Sequence, residues 1–397
     1  MASLCARCAA ARLLVLVAAT VFPLTARAIE SSSSDSAAPT ELIGASNTLL
    51  EFAVDDSQSV LRRINALTSG ARGIDFTNFT VQLGDQQLAG DAMNTISKPI
   101  VTPVVNSVLG RRSDADRFGV FTDGSVSLGR TDTGVRTTDA IDLNTGVDYR
   151  VRSDLVIGTA AGYAHDPARD GLDISSWHGS LYGTYFRPDR FHVDALFSYG
   201  GSTIESTRLV ATDASDAAMS TAKASSGGRG RSGLLSGAFD WKWGQLAFEP
   251  RIGAQYLDSG VGRLEETGAQ DGVSISNQSS QSLRVNAGSQ VRVSLKLAKL
   301  VLTPTVAADY LHDLADRTDT IDVRFAGNWP ARGAIDTVRP SRDDPGYFTW
   351  SVGATAQWTK SLSAFVSYRT FAGADATETR DFAWGLQFKA TPGAHGS

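Results

Sequence analysis

Few residues of this 397-residue chain stand in patterns that could do covalent chemistry. The nucleophile elbow G-x-S-x-G, a G-D-S block of the lipase kind and the zinc-binding H-E-x-x-H do not occur, and the five histidines are scattered. His178 and His192 stand inside alternating runs, with Asp194 close to the second, which suits a solvated polar pair better than a catalytic one. For His312, a hydrogen bond to a segment packed inside the fold and an exposed strand end both remain open. Cys5 and Cys8, the only cysteines, lie near the amino terminus in a segment that reads as a removable leader. Without them the chain has no thiol for a disulfide, a metal or a nucleophile. No catalytic residue, cofactor or metal site is assigned. The remaining chemistry is electrostatic: Asp148, Glu249, Arg251, Arg284 and Arg292 punctuate otherwise apolar alternation, as side chains facing a water-filled interior would.

The elements that carry these charges alternate with a period of two. Ile141, Leu143, Val147, Tyr149 and Val151 interleave with Asp142, Asn144, Gly146, Asp148 and Arg150. Leu283, Val285, Ala287, Val291, Val293 and Leu295 likewise interleave with Arg284, Asn286, Gly288, Gln290, Arg292 and Ser294. One face of such a strand is apolar and the other is wet. Similar runs occupy residues 118–130, 155–165, 176–187, 191–202, 232–243, 246–257, 300–312, 347–358, 362–371 and 381–389, making twelve in all. A membrane-crossing strand needs about 9–11 tilted residues with one face toward lipid, so the pattern predicts an all-β, twelve-stranded antiparallel transmembrane barrel over residues 113–391. Very short connections at Arg152-Ser153, Pro188-Asp189, Gly244 and Thr359-Lys360 alternate with long ones at 205–230, 262–272 and 315–344. This matches short periplasmic turns and long external loops.

Ahead of the barrel, Arg7 and Arg12 precede an apolar run, Leu13 to Val21, and Ala26-Arg27-Ala28 supplies a small-x-small cleavage pattern. Residues 1–28 are therefore expected to be a signal peptide for the general secretory pathway. Removing Arg7, Arg12 and Arg27 with it lowers the formal net charge from −5 to −8, which gives no reason to expect nucleic acid as a partner. Residues 29–112 form a short separate segment. After the serine-rich stretch Ser31–Ser36, Leu42, Leu49, Leu50, Val54, Leu61 and Ile64 recur at near-helical spacing within residues 41–66. Beyond Gly70 the pattern breaks at Gly73, Asn78, Gly84 and Gly90. Pro103 suits a first helical turn, so a short helix, the expected pore helix, is placed near residues 103–112.

Aromatic residues test the layout independently, because lipid-facing rings collect at membrane interfaces. Tyr149, Tyr185, Trp241, Trp243, Trp358 and Phe388 fall at the carboxyl ends of even-numbered strands on the lipid side, predicting one belt at the periplasmic rim. In a soluble β-sandwich they would be core aromatics, but sandwiches do not usually sort short and long loops to opposite ends.

Several segments then suggest a family. Residues 144–163, NTGVDYRVRSDLVIGTAAGY, look like the second and third strands of the carboxyl-terminal translocator domain of bacterial autotransporters. Residues 246–256, LAFEPRIGAQY, resemble its proline-bearing middle strand. Residues 302–313, LTPTVAADYLHD, resemble a later strand, through Pro304, Tyr310, His312 and Asp313. The resemblance covers roughly Ala115 to Lys389. It implies a monomeric outer-membrane barrel of the type V secretion pathway that anchors, translocates or displays its amino-terminal segment, and that is not an enzyme. It also implies outer-membrane lipid, periplasmic chaperones and the barrel-assembly machinery as partners. That machinery would read the last strand through Phe382, Trp384, Leu386 and Phe388. Here the chain departs from the family, since a tail (residues 392–397) follows the barrel, the preceding segment is short, and no Asn-Asn of the self-cleaving relatives occurs. The rival expectation is a porin-like channel with a periplasmic amino-terminal segment, and a more distant one is an outer-membrane hydrolase.

Overall fold

The computed structural model describes residues 45–68, 74–84, 117–130, 136–169, 171–213, 216–269, 272–297, 300–318, 321–325, 335–338, 346–359, 362–372 and 380–388. The leader, the serine-rich stretch, the tail and residues 103–112, where a pore helix was expected, lie outside them. One helix, α1 (Ala45–Thr68), precedes the strands. The long strands are β1 (Ile74–Gly84), β2 (Phe118–Arg130), β3 (Arg136–Arg152), β4 (Leu155–Arg169), β5 (Leu172–Arg187), β6 (Phe191–Asp213), β7 (Asp216–Phe239), β9 (Leu246–Val261), β12 (Gln278–Val293), β14 (Leu300–Thr318), β17 (Gly346–Gln357), β18 (Leu362–Ala372) and β19 (Arg380–Phe388). Short strands between them are β8 (Trp241–Trp243), β10 (Leu264–Glu265), β11 (Val273–Ile275), β13 (Leu295–Leu297), β15 (Ile321–Phe325) and β16 (Ile335–Val338).

All twelve predicted strands are present, each paired antiparallel with the next in the chain order β2 to β7, then β9, β12, β14 and β17 to β19. Between the last and the first lies a strand the sequence reading did not anticipate. β1 pairs antiparallel with β19 and parallel with β2, so the succession of pairings returns to its starting strand. The expected strand count is thereby raised by one. The segment escaped detection because its alternation changes phase: apolar residues stand at 74 and 76, then at 79, 81 and 83. The structure places a register shift between Phe76 and Asn78, where that phase changes.

The sheet is inside out relative to a water-soluble protein. Leu143, Val147, Ile157, Leu181, Phe197, Leu235, Ile252 and Val352 are exposed on β3 to β7, β9 and β17, while Asp142, Asn144, Asp148, Ser180, Asp194, Glu249, Arg284 and Gln290 are buried behind them. Leaving such side chains in water forgoes about 1.5–3 kcal/mol each, and soluble monomers rarely expose apolar patches beyond a few hundred Å². A closed wall with this pattern matches the outward apolar band and polar interior of an outer-membrane barrel.

The short connections turn tightly. Asp189 adopts φ 59° and Gly244 φ 61°, the left-handed conformation that glycine accepts at no cost and aspartate tolerates. The long connections depart from the loop expectation. Residues 205–230 continue β6 and β7 as one ladder that ends at Asp213 opposite Asp216. Parts of 262–272 and 315–344 contribute to a second sheet in the order β10-β11-β15-β16. Val273, Ile275, Ile321 and Val323 are buried there, which explains why these connections fold: their own alternation gives the small sheet an apolar face. The bidentate Arg208–Glu266 pair, at 2.6 and 2.7 Å, ties this sheet to β6.

Helix α1 packs on the inner side of the arc formed by β3 to β7, β9 and β12. Its start, Ala45 and Leu49, joins an apolar cluster with Ile204, Val261, Val273, Ile275, Ile321 and Val323 at the long-connection rim. Its end, Val60, Leu61, Ile64 and Leu67, joins Phe121, Val156, Tyr182, Phe186 and Leu196 toward the short-turn rim. The helical spacing read from the sequence thus forms a helix two to four residues offset from the expected bounds, and it runs through the bore with a fixed polarity. Gly228 makes the upper contact possible, since a Cβ there would lie 2.6 Å from Leu49 Cδ1.

Candidate functional site

The bore is a polar surface with a helix seated in it. Asp56, Ser57, Ser59, Arg62 and Arg63 of α1 are all buried, and each has a polar partner on the wall. Arg62 donates from Nε to Asp123 Oδ2 at 3.0 Å and from Nη2 to Oδ1 at 2.5 Å, and Ser59 Oγ donates to the same carboxylate at 2.8 Å. One residue on, Arg63 Nε donates to Asp148 Oδ2 at 2.7 Å, and the Tyr182 hydroxyl donates to that oxygen at 3.3 Å. Planar guanidinium groups suit such carboxylate pairing, and two adjacent ones fix both the height and the rotation of the helix. Higher up, His178 Nε2 lies 2.8 Å from Asp56 Oδ1 and 2.7 Å from Asn144 Oδ1, while Asp56 Oδ2 accepts from Ser180 Oγ at 2.8 Å. Gln255 Nε2 donates to Ser57 Oγ at 3.4 Å on the β9 side.

Sequence reasoning missed these helix residues. The apolar positions of α1 read as one face of an amphipathic helix, whereas the polar bore buries the charged face as well. A signal was present: two adjacent arginines, Arg62 and Arg63, inside an otherwise apolar-periodic run, with Asp123 and Asp148 on inward positions of strands.

Of the five charged residues placed in the lumen from sequence, Asp148 meets the helix. Arg251 pairs with Asp309, Nε to Oδ1 at 2.7 Å. Arg284 Nε lies 3.3 Å from Asp313 Oδ1, and Arg292 Nη2 donates to Glu249 Oε2 at 2.6 Å and Asp240 Oδ1 at 2.9 Å. These three pairs are spaced along β9, β12 and β14 as a column on the bore wall. His192 Nδ1 lies 2.8 Å from Asp194 Oδ2, which also accepts from Thr184 through Oδ1 at 2.7 Å. His178 is directed instead to α1, and His312 stacks on Tyr310 with ring centres 6.2 Å apart.

Outside, the rings form two tiers. Trp241, Trp243 and Trp358 are exposed, and Tyr149 and Tyr185 are half-buried near the short-turn rim. There Phe118 packs on Tyr149 and Phe191 on both Tyr185 and Phe239. Trp177, Tyr163, Tyr199, Tyr310, Phe348 and Trp350 are exposed nearer the other rim. The sequence pattern identifies the belt at the short-turn rim; the second tier lies toward the opposite rim on β4, β5, β6, β14 and β17. Trp177 and Tyr185 are eight residues apart on β5. At about 3.3 Å per residue and a tilt near 40° this gives a tier separation of about 20 Å, close to the ~25 Å apolar band of such barrels. Of the last-strand residues, Trp384 is exposed, and Phe382, Leu386 and Phe388 take their places in the β18–β19 ladder.

A family model, the autotransporter beta-domain, matches residues 119–369, well over half of the sequence. The chain belongs to the autotransporter β-domain family. It is accordingly an outer-membrane β-barrel of type V secretion, and domains of this family serve transport. Similar solved structures include the translocator domain of the autotransporter NalP from Neisseria meningitidis, at 15% identity and TM-score 0.44, covering 64% of this chain and 80% of that one. The beta domain of the Bordetella autotransporter BrkA has 15% identity and TM-score 0.45, covering 69% and 99%. The transport unit of AIDA-I from Escherichia coli has 12% identity and TM-score 0.35, covering 71% and 94%. A search of curated protein sequences returns no match.

Proposed function

We propose that this autotransporter β-domain carries its own amino-terminal segment through the outer membrane and presents the residues that precede α1 at the cell surface. The polarity of the helix carries the reading: its first turn packs with the sheet built from the long connections, its last turn with residues near the short turns. Short turns belong on the periplasmic side in outer-membrane barrels, so a chain entering by Thr68 leaves by Ala45 on the outside. Export begins with removal of residues 1–28. The two aromatic tiers seat the barrel at the two lipid interfaces. Residues Phe382, Trp384, Leu386 and Phe388 present the last strand to the assembly machinery after chaperone-guided transit.

The lumen holds the helix by paired charge rather than by apolar contact alone, and this favours a plugged translocator over an open porin-like channel. The test is protease digestion of intact cells carrying one epitope between Ser36 and Glu41 and another near Ala331. Cleavage at both sites is expected. An amino-terminal epitope that survives while the loop epitope is cut would overturn surface presentation.

A further inference from the structure

We propose that the junction of β2 and β19 is a strand-accepting site and that Ile74–Gly84 is its resident guest, exchangeable for the same peptide supplied in trans. Four observations converge. First, β2 and β19 are the ends of a set that is complete without β1: the twelve strands are even in number and their two ends run antiparallel, so they could pair with each other directly. Second, among the described strands β1 alone makes a parallel contact, with β2, and that contact is interrupted by a register shift, whereas its pairing with β19 runs unbroken from Asn78 to Gly84. Third, no hairpin joins β1 to either neighbour. In the chain it follows α1 and is separated from β2 by residues 85–117, so no short turn sets its register against either neighbour. Fourth, β1 precedes the part of the chain that the family model matches.

An extended peptide adding to a sheet edge gains affinity from main-chain hydrogen bonds and register from its alternate side chains. Here both edges of the guest are used. The ligand class is therefore an extended, alternating polypeptide strand, and the occupant is this chain's own segment.

The test uses the absence of any cysteine in the described residues. Gln82 stands opposite Ala383 on one side and Ser127 on the other. With β1 in place, Ser127 and Ala383 are two strand spacings apart, about 9.6 Å, beyond the ~7 Å Cα separation a disulfide tolerates. In the full chain with Cys5 and Cys8 replaced by serine, Gln82→Cys/Ala383→Cys should cross-link in most molecules and Ser127→Cys/Ala383→Cys should not. The reverse result overturns the seating of the strand. In a chain deleted for residues 74–84 that keeps Ala383→Cys, a synthetic peptide IDFTNFTVCLG should form the cross-link in detergent, and a scrambled peptide should not. A deleted chain that stays folded, judged by heat-dependent mobility on gels, yet captures no peptide overturns exchangeability. A deleted chain that cannot fold makes β1 an integral stave and overturns it equally.

Discussion

The strongest consequence of the bore geometry is that two wall carboxylates hold the plug. Asp123 and Asp148 are nearly inaccessible, as are the side chains of Arg62 and Arg63 facing them. Removing one partner of a buried pair costs about 3–5 kcal/mol, because the remaining charge is left uncompensated. An undocked helix re-enters a wet bore, so the lower end applies. At about 1.4 kcal/mol per decade, ~3 kcal/mol raises the undocked fraction on the order of 100-fold. Asp123→Ala or Asp148→Ala in the full chain should therefore raise the open-time fraction in planar bilayers by about that factor, without altering the helix sequence. The swap Arg62→Asp with Asp123→Arg should recover much of the closure, since it restores opposite charges across the same contact. Two results would refute the reasoning: open fractions within about twofold of the parent for both alanine variants, or a double-mutant cycle for Arg62 and Asp123 with coupling below ~0.5 kcal/mol.

Other consequences follow from the wall. Deleting residues 29–68, which removes α1 and leaves β1 in the wall, should convert a largely silent protein into a steady conductor, measured in the same bilayers; silence after deletion would mean that the helix is not the barrier. Ile252→Arg or Leu235→Arg, at exposed apolar positions between the two aromatic tiers, should lower folding stability into lipid vesicles by about 2–4 kcal/mol, whereas Trp243→Arg at the rim should cost about 0–1, read from urea titrations. Gly228→Val should weaken the upper helix contact by about 1–3 kcal/mol through overpacking, visible as a lower temperature for the gel-mobility shift, while Gly233→Ala, whose added Cβ meets nothing within 4 Å, should leave it unchanged. Glu266→Ala removes both hydrogen bonds from Arg208 and the one from the Val273 backbone, so limited proteolysis within residues 264–275 should speed up several-fold.

The sequence by itself determined the wall. A period of two is a local property: each residue's side follows from its neighbours, so inward Asp142, Asn144 and Asp148 and outward Leu143 and Val147 could be read without knowing which strand lay beside which. Turn chemistry such as Pro188-Asp189 and Gly244 is equally local, and it fixed the order of short and long connections. What tertiary structure decided was everything that depends on a partner distant in sequence. Whether the periodic run at 45–68 lies outside the barrel or inside it depends on Asp123, Asp148, His178 and Ser180, which are 61 to 124 residues away. The seam strand was hidden for the same reason: its alternation slips at Thr77, and the slip is absorbed as a register shift against β2, while the pairing with β19 begins beyond it at Asn78. The small outer sheet needed two separate connections to meet before either could bury its apolar face. Side-chain alternation is written along the chain, whereas the filling of a bore is settled by which surfaces closure brings together.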